Sequence, residues 1–213
     1  MAQKFIRARG AEQVEIRRNE ILNAAKKLYK ERFFDDINIL SIAKESGFTR
    51  SNIYRYFATK EEVYLSLIAN DLGSWVGSTE KWLKQRYTPP EFAEQWVDKT
   101  LTQKRLLSLL SILSTKLEPN SSQEALDRFK NSLAEANDSL VRALRQCFPD
   151  LEEADANTFL MFNASLFIGT YPNMFPSKKQ RIAMKKTNMP ADPEPYKLMM
   201  TRAIRVFMED MLE

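Results

Sequence analysis

The sequence predicts an all-α fold of about nine helices, with a small N-terminal helix-turn-helix domain ahead of a larger helical one. Three observations carry that expectation. Apolar residues recur at helical spacing along the 213 residues. No stretch alternates apolar and polar residues over strand length, and no Asn-Gly or Asp-Gly dipeptide offers a hairpin turn. Proline and short polar clusters cut the apolar pattern into segments of helix length.

Taken in order, Ile21, Ala25 and Leu28 form one stripe on a first helix near Gln13 to Arg32. Asn38 is a suitable N-cap for a short second helix that ends at Gly47, and Thr49 is a suitable N-cap for a third. A longer helix starts near Lys60 and runs to about Tyr87, where Pro89 and Pro90 break the chain and open the next. Glu91 to Lys116 reads as two helices joined near Thr102. Glu118-Pro119-Asn120 is a breaker, and Ser121 or Ser122 then caps a long helix to about Phe148. Another helix covers roughly Glu152 to Tyr171. The five prolines between Pro172 and Pro195 read as a long loop, with Lys178 to Lys186 as a solvated charge run. The last helix spans about Tyr196 to Leu212.

Composition excludes much chemistry. The chain has no histidine, so it can build neither a Ser-His-Asp nor a Cys-His nucleophile system, nor a His-ligated metal. A single cysteine, Cys147, excludes an internal disulfide and a cysteine zinc site, and suits a reducing compartment. Five glycines leave no phosphate-cradling loop, and neither GxGxxG nor GxxxxGK occurs. No metal, cofactor or catalytic residue is expected, and the chain reads as a non-enzyme. Met1 to Gly10 lack the apolar stretch of a signal peptide, and the Leu106–Leu113 run is too short to span a membrane, so a cytoplasmic protein without membrane contact is expected. Residues 1–60 hold 13 Lys+Arg against 7 Asp+Glu, a net +6, whereas the remaining residues hold 19 against 21, a net −2. A basic head on a near-neutral body suits a polyanion.

The stretch INILSIAKESGFTRSNIYRYFATKEE, Ile37 to Glu62, gives that head a shape. Two short helices that cross at a tight turn need a small side chain at the crossing, which Ala43 supplies. Four residues later the turn needs a left-handed backbone, which Gly47 adopts without steric cost. Phe48, Ile53 and Phe57 pin the second helix inward, the last two at i and i+4. An ordinary helical hairpin would need no more than this. The opposite face, however, carries Arg50, Ser51, Asn52, Tyr54 and Arg55. Arginine can fork onto guanine and asparagine onto adenine in a major groove, and hydroxyls can bond phosphate oxygens. Lys60, at the next helix start, could hold a phosphate together with the helix N-terminus.

With these residues in view, Arg18 to Leu65 resembles the N-terminal domain of the tetracycline-repressor (TetR) family of bacterial transcriptional regulators. The resemblance rests on R-x-x-I-L-x-A-A at Arg18 to Ala25, I-A-x-x-x-G at Ile42 to Gly47, and I-Y-x-Y-F-x-x-K-E at Ile53 to Glu61. It implies a three-helix DNA-binding head, residues 1–60, on an effector-binding and dimerisation domain, residues 61–213. It implies phosphate contacts from Thr49, Tyr54, Tyr56 and Lys60, and base-facing roles for Arg50, Ser51, Asn52 and Arg55. Three positions depart from the family pattern. Phe33 stands for a usual glycine, so the first turn is built differently. Ser51 stands for a frequent glycine in the recognition helix, and Leu40 is apolar where a polar residue often reaches DNA.

In the larger domain, Asn157 to Ile168 is apolar almost all round, which suits a helix with core on one side and a partner subunit on the other. The last helix offers a stripe of Tyr196, Met199, Met200, Ala203, Phe207 and Met211 for the same interface. Trp75, Trp82, Trp96, Phe129, Phe162 and Tyr171, with Asn163 as a polar contact, could line a pocket for a small apolar effector, although each alone would serve as core. The expected protein is a ligand-responsive transcriptional regulator, a repressor, bound as a homodimer to a near-palindromic double-stranded DNA operator. A helical adaptor that binds protein is the alternative, and it leaves Arg50, Tyr54 and Lys60 unexplained.

Overall fold

The computed structural model describes residues 2–189 and 191–213, with side chains from Glu12 onward, apart from residue 190. Among the described residues the secondary structure is helical throughout, in ten α-helices. They are α1 (Ala2–Glu31), α2 (Ile39–Ser46), α3 (Arg50–Tyr54), α4 (Lys60–Trp82), α5 (Pro89–Leu101), α6 (Lys104–Leu110), α7 (Gln123–Cys147), α8 (Glu153–Met174), α9 (Lys178–Lys186) and α10 (Glu194–Met211). The chain folds as two compact units. The first takes the residues up to Asn70 together with Ser114–Lys130, and the second takes Asp71–Leu113 and Asn131–Glu213.

In the first unit, local chemistry sets each boundary of the helix-turn-helix. The Asn38 side chain accepts from the Ser41 N–H at 2.9 Å, and the Ser41 hydroxyl accepts in return from the Asn38 N–H at 3.1 Å. This reciprocal cap starts α2. Gly47 ends it at φ 73°, a left-handed conformation that costs a side-chain-bearing residue free energy. Thr49 then accepts from the Asn52 N–H at 3.2 Å and starts α3. Ile42, Ala43, Ile53 and Phe57 are all buried, as are Ile21, Ala25 and Leu28 of α1 and Val63, Tyr64 and Ile68 of α4 in the same unit.

The second unit is built around aromatic rings. Phe92 of α5 lies 5.3 Å from Trp96, 5.1 Å from Phe148 and 5.7 Å from Phe159, centroid to centroid. Thr88 and Glu91 cap α5 reciprocally, and Pro89 sits in its first turn. Asp71 and Arg105 make a two-pronged, half-buried ion pair at 2.6 and 2.7 Å that ties α4 to α6. Cys147 is buried, and burial pushes its thiol up to about 11 despite Tyr87 and Arg86 pulling the other way, so the thiol stays protonated.

The loop expected over Pro172 to Pro195 is corrected. Helix α8 continues through Pro172 to Met174, because that proline falls in the final turn, where it interrupts the ladder at its end. Lys178 to Lys186 is helical rather than a loop. Ser177 accepts from the Gln180 N–H and the Gln180 side chain accepts from the Ser177 N–H, a complete capping box. Helix α4 ends at Trp82, short of the expected Tyr87. No helix among the described residues is long and apolar enough to cross a membrane.

Candidate nucleic-acid interface

Helix α3 has five residues, too few to be stable on its own. Its position is therefore imposed by Ile53, which is fully buried, and by Phe57 just beyond it. With those side chains turned inward, Thr49, Arg50, Ser51, Asn52, Tyr54 and Arg55 are all exposed, on or beside one short helix. The Arg50 guanidinium donates to the Tyr54 hydroxyl oxygen at 2.9 and 3.2 Å and lies 5.4 Å from its ring centre. The pair is organised before any ligand arrives, and the Tyr54 hydroxyl keeps its own proton to donate.

Tyr56 is half-buried, and its main-chain carbonyl accepts from Arg18 at 3.1 Å. The Arg18 guanidinium also covers the Phe57 ring at 4.4 Å. Burial lowers the Arg18 pKa, with the Arg128 charge adding to that effect and Glu15 and Glu62 opposing it. Arg18 belongs to the sequence motif, but its service to the end of the recognition helix spans 38 residues and carries no local signal.

Lys60 is turned inward to an unexpected degree. Its ammonium donates to the carbonyls of Phe34 at 2.9 Å and Ile37 at 2.7 Å and sits 4.2 Å from the Phe34 ring centre. It thereby closes the short 3-10 turn Phe34–Asp36 that feeds α2, with one N–H left for other work. Phe33, exposed, stands immediately before this turn, and the Lys60 clamp accounts for how the turn is made without a glycine. Leu40 is also exposed.

The residues considered for an effector are grouped in part. Trp75 and Trp82 lie 5.7 and 6.1 Å from Trp96, whose indole N–H donates to the Asn163 side-chain Oδ1 at 2.6 Å. Phe162 stacks on Phe207 at 4.3 Å, and Phe159 joins that pair to Trp96. Tyr171 is buried beside Phe175. Phe129 is a residue of the first unit, whereas the other six belong to the second. The Trp82 indole nitrogen is buried without a hydrogen-bond partner among the described residues, and Lys99 lies 5.7 Å from the Trp82 ring centre.

Comparison with known proteins agrees with this architecture. Residues 21–67 match the family model described as bacterial regulatory proteins, tetR family, and residues 69–212 match the tetracyclin repressor-like C-terminal domain. An HTH-type transcriptional regulator of Bacillus subtilis, YfiR, is 34% identical over 65 residues, which cover 30% of this chain and 32% of that protein. The fatty acid metabolism regulator protein of the same organism is 29% identical over 72 residues, covering 34% of this chain and 37% of that one. The matched stretch thus spans about a third of each of these curated relatives. Among solved structures, Thermus thermophilus FadR, a TetR-family repressor in complex with lauroyl-CoA, superposes with a TM-score of 0.61 at 17% identity, over 92% of this chain and 95% of that one. A TetR/AcrR-family regulator from Thermobifida fusca gives 0.59 at 18% identity, over 89% and 96%. At such identities these two show a shared fold. The C-terminal family model alone covers more than half of the chain, and with the N-terminal match it accounts for nearly all of it: the protein belongs to the tetR family of bacterial transcriptional regulators.

Proposed function

We propose that the protein is a ligand-responsive transcriptional repressor that binds a near-palindromic operator as a homodimer, each subunit presenting α3 to a major groove. The observation that carries this reading is the exposed face of α3, where Arg50 and Tyr54 are mutually fixed beside Ser51, Asn52 and Arg55 while Ile53 is fully buried. The head of residues 1–60 makes the DNA contacts, with Thr49, Tyr54, Tyr56 and Lys60 on phosphates, and residues 61–213 serve the effector and the partner subunit. The protein works in the cytoplasm and carries out no catalysis.

For the effector, the reading is an amphiphile with an acyl chain and a carbonyl near its head. The FadR proteins of Thermus thermophilus and Bacillus subtilis, both similar in fold, were solved with lauroyl-CoA and stearoyl-CoA. The aromatic cluster of Trp75, Trp82 and Trp96 suits an acyl chain, and the unpartnered Trp82 N–H suits a carbonyl. For the partner, Met161, Leu198, Met199 and Val206 are exposed on α8 and α10, and a groove of about 780 Å³ lies along α10. Such a face suits a twofold copy of itself.

The test starts with a duplex selected by the protein from a random pool. Affinity for it should fall steeply with salt and exceed affinity for an unrelated duplex, and a long-chain acyl-CoA should release it. Retention of no duplex above background at low salt would refute the regulator reading. Release by neither acyl-CoA nor free fatty acid would refute the effector class while leaving DNA binding intact.

A further inference from the structure

We infer that Glu62 is a positioning residue for DNA recognition, fixing the turn after α3 by tying Ala58 to Ser122. The inference rests on the reading of α3 as the DNA-reading helix. Glu62 lies in the first turn of α4 yet is 5% exposed, a rare place for a carboxylate unless it is well paired. Its own N–H donates to Thr59 Oγ1 at 3.2 Å, so Thr59 caps α4. In the usual reciprocal cap the acid at this position turns back to the capping residue's N–H. Here it reaches past it. Oε2 accepts from the Ala58 N–H at 2.8 Å. Oε1 accepts from the Ser122 hydroxyl at 2.6 Å and from the Ser122 N–H at 3.2 Å, across 60 residues of chain.

Ser122 is itself a cap, since its hydroxyl oxygen accepts from the Ala125 N–H at 3.3 Å in the first turn of α7. One buried carboxylate therefore joins the end of the recognition segment to the start of α7. Burial works against its charge, but the donors on Ser122 and Ala58 and the nearby Arg128 hold its pKa below the usual carboxylate value, so it stays ionised. A second tie in this unit, Lys116 to Asp35 at 2.5 Å, is exposed and contributes little.

The consequence for recognition follows from the shortness of α3. A five-residue helix takes its direction from what holds its ends. At its end, Arg18 holds the Tyr56 carbonyl and Glu62 holds the Ala58 N–H, so two charged side chains fix three consecutive residues, 56–58. Base-reading side chains lose specificity when their support loosens by even about 1 Å. Glu62 touches no base. It sets the angle at which Arg50 and Arg55 are presented.

The experiment compares full-length wild type with Glu62→Gln, Ser122→Ala, Ser122→Thr, Arg50→Ala and Arg55→Ala, on the selected duplex and on an unrelated duplex of equal length. Glutamine keeps one acceptor oxygen, so it cannot accept from both the Ala58 and the Ser122 N–H groups. Glu62→Gln should lose about tenfold in affinity for the selected duplex, the scale of a hydrogen bond to a charged group. Ser122→Ala should lose less, and Ser122→Thr should match wild type. Affinity for the unrelated duplex should stay within about twofold in all three, since phosphate contacts set it. Measurements are made well below each melting temperature. Equal losses on both duplexes, or no loss in a folded Glu62→Gln protein, overturn the proposal. If Glu62→Gln does not fold, Ser122→Ala decides by the same criterion. Loss for Arg50→Ala with none for the Glu62 and Ser122 variants overturns positioning alone. No loss for Arg50→Ala and Arg55→Ala overturns the base-reading assignment instead.

Discussion

Arg50 and Lys60 flank the same recognition segment but face opposite demands. Arg50 is exposed and preset by Tyr54, so its removal leaves the fold untouched. Arg50→Ala and Arg55→Ala should each cost about 1–3 kcal/mol on the selected duplex and relax preference at one base pair, measured by titration against single-base variants of that duplex. Lys60 has two N–H groups committed to Phe34 and Ile37. Lys60→Ala should therefore do two things at once. It should lower the melting temperature by releasing the turn before α2, and it should reduce the salt slope of DNA binding by about one ion. A lower melting temperature with an unchanged slope would make Lys60 a structural clamp and end its phosphate role. The exposed residues of α3 were legible in the sequence because inward Ile53 lies on that five-residue element and inward Phe57 just beyond it. The role of Glu62 was not legible, since its partner Ser122 is 60 positions away and no local pattern marks it.

At the scale of elements, boundaries set by local chemistry were legible and those set by packing were not. Asn38, Gly47 and Thr49 each act where the sequence puts them, because a cap needs a few adjacent residues. Gly47→Ala tests this directly. Nothing crowds the position, so the cost comes from the backbone at φ 73° alone. The variant should lose about 1 kcal/mol in thermal or chemical denaturation, with the helix content retained. An unchanged midpoint would mean that the turn relaxes to a negative φ. Prolines are poor markers of a loop over Pro172 to Pro195, where helices α8, α9 and α10 end, run or begin. Pro172 in a last turn breaks little, and the sequence did carry the contrary signal, Ser177 followed by Gln180 at capping-box spacing. The outer limits of α1 and α4 lacked such a marker. Gly10 and the mixed residues before Gln13 gave no reason to extend α1 back to Ala2, yet the helix does.

At the scale of the whole molecule, the proposed dimer makes a prediction that burial sharpens. The apolar run of α8 is not uniformly buried. Phe167 is 2% exposed and Met161 is 68% exposed, so core and outer face can be tested separately. On α10, Leu198 and Val206 are 65% and 52% exposed. A carboxylate in place of Phe167 loses solvation inside the subunit, where no partner awaits it, and should unfold the protein or lower its stability by several kcal/mol. Leu198→Glu and Val206→Glu place the same charge where an isolated subunit leaves it in water, so helicity should be unaffected. In a twofold interface each such charge meets its own copy or an apolar surface, and association should fail. A dimer gains affinity because its second half-site contact is effectively intramolecular. The Leu198 and Val206 variants should therefore sediment as folded monomers and bind the selected duplex hardly better than an unrelated one, while keeping the Arg50–Tyr54 face intact. Should both sediment as dimers with wild-type affinity, the interface lies elsewhere than α10. Should wild type itself sediment as a monomer at the concentrations where it binds the duplex, the homodimer is refuted and a single head must account for all of the specificity.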